Sequence, residues 1–344
     1  MNIIDLRSDT VTLPTKEMMD AIQNAKLGDD VLEDDFVVKK LEDETAKLTG
    51  KDAALFVPSG TMGNIISIMV HCPRGSEVIL GDKSHTFKYE AGGISALGGI
   101  HSAQLSNNSD GTIDIDKIKT SIREDNVHFP KTACISLENS HNLCNGSPIN
   151  IEYLSQVYNI AQENNLKVHT DGARIFNSAV ALNLELKELT TYTDSITFCL
   201  SKGLSAPIGS MVCGTKEFIY HARRTRKILG GGMRQVGILA SAGLISISKM
   251  TNQLKTDHLH LSQLANGLSQ IKKIEINPTN YKTNILYFSI TNNPFSDEEF
   301  IQHMEKQGIR FFALSKNKFR LVTHSGISDK DIHFTLNVFN NILN

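Results

Sequence analysis

Short apolar runs alternate with helix-like segments between residues 53 and 215, and this alternation constrains the fold more than any other feature of the chain. Helical patterns separate several of the runs, such as the amphipathic segment 151–165. Because parallel strands need a crossover between them, usually a helix, the order predicts an α/β domain with a mostly parallel central sheet. The strand-like runs are AALFVP (53–58), SEVILGD (76–82), TACISLENS (132–140), LKVHTDGAR (166–174), SITFCL (195–200) and SMVCGT (210–215).

The pattern changes after a long helical stretch that runs from residue 237 to residue 271. Beyond it, strand-like and helix-like segments follow one another without the repeated βα order, which predicts a smaller C-terminal α+β domain. We place the boundary inside the helical stretch, giving domains 1–247 and 248–344. The C-terminal segments are strands at 284–290 and 319–325 and helices at 297–308 and 329–343.

Composition narrows the class of protein. The chain has 344 residues, is 40% hydrophobic and 21% charged, and carries a net charge of −2. We therefore expect no nucleic-acid or membrane partner. No apolar run approaches the roughly 20 residues of a membrane span, and Asp5 and Arg7 come too early for a signal peptide. Five scattered cysteines without a CxxC pair indicate reduced thiols in a cytoplasmic protein, and the histidines show no metal-ligand spacing.

Lys202 is the first candidate for chemistry. It follows the run 195–200 after a single serine and precedes Gly203. A lysine at a strand end either reaches for water or is a partly buried amine, and burial lowers the pKa of an amine and makes it nucleophilic. The local sequence leaves both alternatives open.

Two further strand ends carry residues suited to ligand binding. Ser59, Gly60 and Thr61 follow the run 53–58 and open a helix, where free N–H groups bind phosphate well, although serine and threonine are also ordinary helix caps. Asp171 ends the run 166–171, at the point where open α/β sheets bind ligands, although Asp-Gly is also a common turn. Arg174, three residues on, could hold a carboxylate with two hydrogen bonds.

His85 follows another strand-like run by a few residues. Its imidazole could stack on a planar ring or move a proton, or it could be a solvated loop residue. A pyridoxal 5′-phosphate enzyme needs a lysine, an acid for the pyridine nitrogen, an anion site and a ring-stacking group. Lys202, Asp171, Ser59–Thr61 and His85 supply these four at strand ends, so together they predict that cofactor.

Several specific segments are spread along the whole chain. They are DLRSDTVTLPT (5–15), GDDV (28–31), SGT (59–61), EAGG (90–93), SLENSHN (136–142), HTDGARIFN (169–177), LSKGLSAPIGS (200–210), GGGMRQ (230–235) and RLVTH (320–324). In these segments the chain resembles the L-threonine aldolases, from end to end. The resemblance implies a lyase of the fold type I group of pyridoxal phosphate enzymes, which share the aspartate-aminotransferase fold.

The resemblance implies a role for each matching cofactor residue. Lys202 would bond covalently to the cofactor aldehyde, Asp171 would pair with the ring nitrogen, and His85 would stack on the ring. The phosphate would be held by the segment Ser59–Thr61. Three further residues are expected near the cofactor, the last two of them contributed across a subunit interface: Arg174, Lys227 and Arg234.

Substrate roles follow from the same resemblance. The carboxylate of a small amino acid would be clamped by Ser8, Arg174 and Arg320, and His128 would lie near the substrate hydroxyl. Either His85 or His128, directly or through water, would be the base. The implied reaction is cleavage of L-threonine or L-allo-threonine to glycine and an aldehyde, in a homodimer or homotetramer with active sites at the subunit interface.

The sequence departs from the family pattern in one informative place. Leu32 follows GDDV where the family usually has a tyrosine, which puts substrate preference or rate in doubt.

Two other reactions use the same lysine and aspartate, namely β-elimination and amino acid racemisation. In the basic run 223–227, we expect Arg223 and Arg224 to belong to a solvated helix face.

Overall fold

A computed structural model describes residues 3–343. Strands and helices alternate through most of this range, and short 3-10 helices lie at Asp9–Val11, Asp30–Leu32, Met250–Asn252 and Pro278–Asn280. The strands are β1 (Ile4–Asp5), β2 (Ala53–Val57), β3 (Glu77–Gly81), β4 (His101–Leu105), β5 (Thr132–Glu138), β6 (Lys167–Asp171), β7 (Ser195–Cys199), β8 (Ser210–Gly214), β9 (Ile274–Glu275), β10 (Ile285–Ile290), β11 (Ile309–Arg310), β12 (Phe312–Ser315) and β13 (Lys318–Val322).

The helices pack around a seven-stranded sheet and a four-stranded sheet, and a third sheet has only two strands. They are α1 (Lys16–Gln23), α2 (Phe36–Thr49), α3 (Gly60–His71), α4 (His85–Lys88), α5 (Gly93–Ala96), α6 (Ile115–Ser121), α7 (Ile151–Glu163), α8 (Ile175–Leu182), α9 (Leu186–Thr190), α10 (Lys216–Ile228), α11 (Gly237–Lys249), α12 (Gln253–Leu268), α13 (Asp297–Lys306) and α14 (Asp329–Leu343). Of the helices in this part of the chain, none combines the length and the apolar character that a bilayer crossing needs.

The larger sheet has seven strands in the order β2-β8-β7-β6-β5-β3-β4. Every neighbouring pair is parallel except those of β8, which runs antiparallel to both β2 and β7. Strands β3 and β7 are buried along their whole length, because helices cover both faces of the sheet. The predicted α/β domain with a mostly parallel sheet is confirmed.

The smaller sheet is antiparallel, in the order β12-β13-β10-β9. A cluster of phenylalanines joins it to α13 and α14, including Phe288, Phe300 and Phe319. This confirms the smaller C-terminal α+β unit. The N-terminal strand β1 pairs with β11, and Ile4 and Leu6 pack in the same second core. The boundary between residues 247 and 248 stays a prediction.

Some elements differ from the sequence-based expectation. The stretch 237–271 is not one helix, because a 3-10 turn at Met250–Asn252 separates α11 from α12. Strand β4 was not predicted, since its five residues are polar or only partly buried. The pattern of the glycine-rich segment 89–99 predicts a helix, but the segment contains only the four-residue helix α5. Gly92 and Gly99 adopt positive φ angles of 66° and 62° and interrupt a longer helix.

This topology brings chemistry-bearing residues to one edge of the large sheet. Strands β2, β3, β5, β6 and β7 point the same way, so the residues that follow their last positions lie along a common edge. Helix α3 begins after β2, His85 follows β3, Asp171 ends β6 and Lys202 follows β7. The sheet therefore positions the four groups predicted from strand ends.

Candidate active site

Asp171 lies at the centre of this edge. Its side chain is buried, and its Oδ2 accepts a hydrogen bond from Asn64 Nδ2 at 2.9 Å. Its Oδ1 accepts one from the backbone N–H of Ala173 at 3.1 Å. One ligating atom each from Asp171, His85 and Glu90 lie within 4.8 Å of one another. The arrangement can hold a cationic ring nitrogen against a fixed acid.

His85 is the first residue of α4 and is held at two points. Its Nδ1–H donates to Glu90 Oε1 at 2.9 Å, and its backbone N–H donates to Glu138 Oε2 at 2.7 Å. Burial works to lower the pKa of His85, but the hydrogen bond to Glu90 and the charge of Asp171 outweigh burial and raise it. The imidazole is thus oriented by Glu90, with Nε2 left on the far side of the ring.

Glu90 and Asn64 were missed by the sequence analysis, although EAGG was among the quoted motifs. The Oε1 of Glu90 accepts from both His85 Nδ1 and Asn64 Nδ2, the latter at 2.8 Å. Burial raises the pKa of Glu90, and the neighbouring charge of Asp171 adds to that effect. Its Oε2 is buried and has no hydrogen-bond partner within residues 3–343.

Lys202 lies in the loop after β7 and is half-buried. The loop is fixed through the lysine carbonyl, which accepts from Thr12 Oγ1 at 3.0 Å and from the backbone N–H of Ser205 at 2.8 Å. The positive charge of Lys202 is close enough to act on both His85 and Asp9. The amine therefore lies in the neighbourhood of His85 and Asp9.

The N-terminus of α3 forms a cradle at the end of β7, the strand that precedes this lysine. Ser59 caps the helix by accepting a hydrogen bond from the N–H of Met62 at 3.2 Å. A side chain at Gly60 would place its Cβ only 2.8 Å from Cys199 Sγ, so glycine lets the first turn lie directly on the end of β7. Together with Thr61, this turn presents N–H groups and hydroxyls suited to an anion.

Arg174 does not present a free guanidinium. It is buried, and its Nε and one terminal nitrogen donate to the two oxygens of Asp9 at 2.8 and 2.7 Å. Asn284 Nδ2 also donates to Asp9, at 3.2 Å. Burial works to raise the pKa of Asp9, but Arg174 and then Lys202 hold it well below its usual range. Sequence analysis missed Asp9, which lies between Ser8 and Thr10 in the first quoted motif.

Arg320 and Ser8 lie near this pair. Ser8 is half-buried and caps the first 3-10 helix by accepting from the N–H of Thr10 at 3.2 Å. Arg320 donates to the Arg7 carbonyl at 3.0 Å and to Asn142 Oδ1 at 3.3 Å. The Nε of Arg320 is buried without a hydrogen-bond partner in the described part of the chain. An unsatisfied buried donor of this kind is suited to an anionic ligand.

Three predicted site residues lie elsewhere in the chain. His128 is exposed in the loop before β5, at the edge of the sheet opposite Asp171. Lys227 is exposed near the end of α10, and Arg234 is exposed and paired with Asp29 Oδ2 at 3.0 Å. Within one chain, the structure does not bring these side chains to the site.

The basic run in α10 is only partly a solvated face. Arg224 is exposed, but Arg223 is half-buried and forms ion pairs with Asp30 at 3.3 Å and Glu42 at 2.8 Å. The prediction that Arg223 belongs to a solvated helix face is therefore wrong. Arg226, in the same run, is buried and donates to the carbonyl of Phe56 at 2.7 Å.

The sequence matches the profile of the "Beta-eliminating lyase" family over residues 5–291. The chain belongs to the beta-eliminating lyase family. It is similar to "Low-specificity L-threonine aldolase 1" of Arabidopsis thaliana, with 44% identity over 98% of this chain and 96% of the relative. It is 40% identical to "Low specificity L-threonine aldolase" of Escherichia coli K12, over 96% of both chains. The predicted resemblance is confirmed.

Solved structures show the same fold at low sequence identity. A threonine aldolase of Leishmania major superposes with a TM-score of 0.83 over 99% of this chain and all of that one, at 17% identity. A PLP-dependent aminotransferase of Streptococcus suis gives 0.76 over 99% of this chain and 93% of that one, at 16% identity. The predicted fold type I architecture is thus confirmed.

Family and fold together make the chain a lyase with pyridoxal 5′-phosphate as its cofactor. The residues present fit that group. A half-buried amine at Lys202, a buried carboxylate at Asp171 and a helix N-terminus whose Gly60 leaves no room for a side chain meet at one edge of the sheet. These are the donor types that an aldehyde, a pyridine nitrogen and a phosphate require.

Proposed function

We propose that the protein cleaves L-threonine, L-allo-threonine and related β-hydroxy-α-amino acids reversibly into glycine and an aldehyde. The single observation that carries the proposal is the meeting of Lys202, Asp171 and the α3 N-terminus at one sheet edge. The names of relatives that are 40–44% identical over nearly the whole chain point to the same substrates.

Three parts of the site would bind the cofactor. When bound, pyridoxal phosphate supplies an electron sink for the bond that breaks at the substrate Cα. In the proposal, Lys202 provides the amine for covalent attachment, and Asp171 holds a proton on the ring nitrogen. The first-turn N–H groups at Gly60 and Thr61, with the Ser59 hydroxyl, bind the phosphate.

The substrate carboxylate would be fixed by arginine. Arg320 contributes the buried Nε–H that has no protein partner within residues 3–343. Arg174 presents only the edge of its guanidinium that Asp9 leaves free, because the Nε edge is already paired. Ser8, next to Asp9, adds a hydroxyl. The position of the bound carboxylate determines which of the bonds at Cα is oriented for cleavage. Correct orientation of the reacting bond makes a major contribution to catalysis.

A base must remove the proton of the β-hydroxyl before the Cα–Cβ bond breaks. We assign this role to His85, directly or through a water, since Glu90 takes the Nδ1–H and leaves Nε2 as an acceptor. A positioned base contributes roughly 10²–10⁴-fold. His128 could act only in a neighbouring copy of the chain, because it lies at the other edge of its own sheet.

We also propose that the protein is a cytoplasmic homodimer or homotetramer, with Lys227 and Arg234 completing the phosphate site of a neighbouring copy. Support comes from large apolar side chains that remain exposed in the single chain. Ile228, next to Lys227, is 78% exposed, and Leu32 and Phe36, which follow the Asp29 that pairs with Arg234, are 70% and 77% exposed. Exposed apolar patches are typical of interfaces. The five free cysteines support the reducing compartment.

The deciding experiment supplies pure holoenzyme with L-threonine, L-allo-threonine and L-serine. Aldol cleavage gives glycine and acetaldehyde from the two threonines, whereas β-elimination gives an α-keto acid, and racemisation gives the D-amino acid. Lys202→Ala should abolish the visible absorbance of the bound cofactor and nearly all turnover. Lys216→Ala, at an exposed position, is the matched control. Normal activity and spectrum in Lys202→Ala would end the proposal.

A further inference from the structure

A continuous line of polar side chains, all buried except the half-buried His71, runs behind the cluster of Asp171, Glu90 and His85. His71 Nε2 lies 2.7 Å from Ser195 Oγ, which lies 2.8 Å from His169 Nδ1. His169 Nε2 lies 3.1 Å from Asn64 Oδ1. Asn64, His169 and Ser195 are each no more than 1% exposed, so water does not compete for these contacts. The line crosses from the end of α3 to the active-site edge of the sheet.

The line ends on two carboxylates, and this end fixes its direction. Asn64 Nδ2 donates to both Asp171 Oδ2 and Glu90 Oε1. If the amide were turned over, its carbonyl oxygen would face both carboxylate oxygens and lose both hydrogen bonds. The NH₂ group must therefore face the acids, and Asn64 Oδ1 must accept from His169.

Every other proton in the line follows from that orientation. Burial lowers the pKa of His169 to about 3, so the ring is neutral and carries one N–H. Asn64 requires that N–H on Nε2, which leaves Nδ1 to accept from the Ser195 hydroxyl. Ser195 Oγ can then only accept from His71 Nε2–H. All the donors point toward the acids, and aligned donors in a buried line strengthen one another.

We propose that Asn64 is a positioning residue that keeps the Asp171 carboxylate aligned, and that His169, Ser195 and His71 hold Asn64 in the orientation that this requires. The inference deepens the proposed function, since it rests on Asp171 as the partner of the cofactor ring nitrogen. No part of the line touches Lys202 or the groups assigned to the substrate carboxylate. Its members act through Asp171 and, by the second hydrogen bond of Asn64, through Glu90, which orients His85.

The tautomer of His169 tests the line without any substitution and without the cofactor. In apoenzyme labelled with ¹⁵N-histidine, the two ring nitrogens of His169 give separate NMR signals, assigned by their loss in His169→Gln. We expect a neutral ring with the proton on Nε2. A proton on Nδ1, or a cationic ring, would overturn the proposal regardless of what the enzyme catalyses.

Cofactor affinity tests the effect on Asp171. Asn64→Leu removes the hydrogen bonds from Nδ2 to Asp171 and Glu90, so we expect the Kd for pyridoxal phosphate to rise about 10- to 100-fold. His258→Leu is the matched control, because it removes another imidazole–amide bond, which is partly buried and joins His258 Nε2 to Asn177 Oδ1 at 2.9 Å, outside the line. Its Kd should change less than about threefold. A folded Asn64→Leu protein with unchanged affinity would refute the role.

Further variants separate the failure of the Asp171 assignment from the failure of the proposed line. They also provide a test if Asn64→Leu does not fold. Asp171→Asn should weaken cofactor binding at least as much as Asn64→Leu. If Asp171→Asn binds normally while His169 is the Nε2–H tautomer, the assignment of Asp171 fails and the line remains. If Asn64→Leu does not fold, His169→Leu replaces it, with His169→Gln as the conservative variant. His169→Gln should retain more affinity than His169→Leu, and equal losses would contradict the directional line.

Discussion

The buried ion pair between Asp9 and Arg174 gives the prediction with the clearest magnitude. Asp9 is fully buried and Arg174 nearly so, and two hydrogen bonds of 2.7 and 2.8 Å join them. Removing one partner of a buried pair destabilises a protein by about 3–5 kcal/mol. Asn keeps the shape of Asp and one acceptor oxygen, which recovers roughly 1 kcal/mol. We therefore expect Asp9→Asn to lower the free energy of unfolding by about 2–4 kcal/mol.

The chain contains a matched pair for the control. Arg7 and Asp5 form a similar fork, with Arg7 Nε 2.9 Å from Asp5 Oδ1, but the Arg7 side chain is 37% exposed. Exposed pairs contribute about 0–1 kcal/mol, so Asp5→Asn should lower the free energy of unfolding by less than 1 kcal/mol. Urea unfolding followed by circular dichroism, at one protein concentration and with saturating cofactor, measures both variants.

The pH dependence gives the same comparison a second readout. Because the pKa of Asp9 is held below its usual range by Arg174 and Lys202 despite burial, its contribution is complete above about pH 4 and is lost as the pH falls further. Asp9→Asn should therefore flatten the acid limb of stability against pH. Equal losses for Asp9→Asn and Asp5→Asn, or an unchanged acid limb, would refute the assignment of a desolvated pair.

Three other predictions follow from single contacts. Gly60→Ala should weaken cofactor binding, since its Cβ would lie 2.8 Å from Cys199 Sγ, and adding Cys199→Ala should restore part of the affinity measured by dialysis. Glu90→Gln should lower the pKa of His85 in an NMR titration, because it removes the hydrogen bond and charge that outweigh burial; an unchanged value would contradict the pairing. Phe36→Asp should dissociate the proposed oligomer in light scattering while leaving each chain folded, because the side chain is 77% exposed in the single chain.

The parts of the site that depend on neighbouring residues along the chain could be predicted from the sequence. Apolar runs such as 195–199 became strands, and parallel strands share one edge for their last residues, so Asp171 and Lys202 were found there. The helix cap at Ser59 could also be predicted, because capping is a local preference. The helix end at Gly50 could be predicted for the same reason, and its φ of 63° fits a glycine C-cap.

The partners of these residues could not be predicted, because they depend on contacts between distant parts of the chain. Asn64 meets Asp171 across 107 positions, and Arg174 meets Asp9 across 165. A free arginine and a paired one look alike in sequence, so Arg174 was expected to be available for the substrate. The sequence also does not show at which edge of the sheet a loop lies. For this reason His128 was grouped with residues from the opposite edge.

The pairing of β1 with β11 has a consequence for synthesis of the protein. A chain leaves the ribosome from its N-terminus, yet Ile4 and Asp5 find their partners only at Ile309 and Arg310. The large sheet can assemble during translation, and Asp9 can meet Arg174 once β6 has emerged. The first strand, however, stays unpaired until nearly the whole polypeptide has been made, so its docking is among the last steps of maturation.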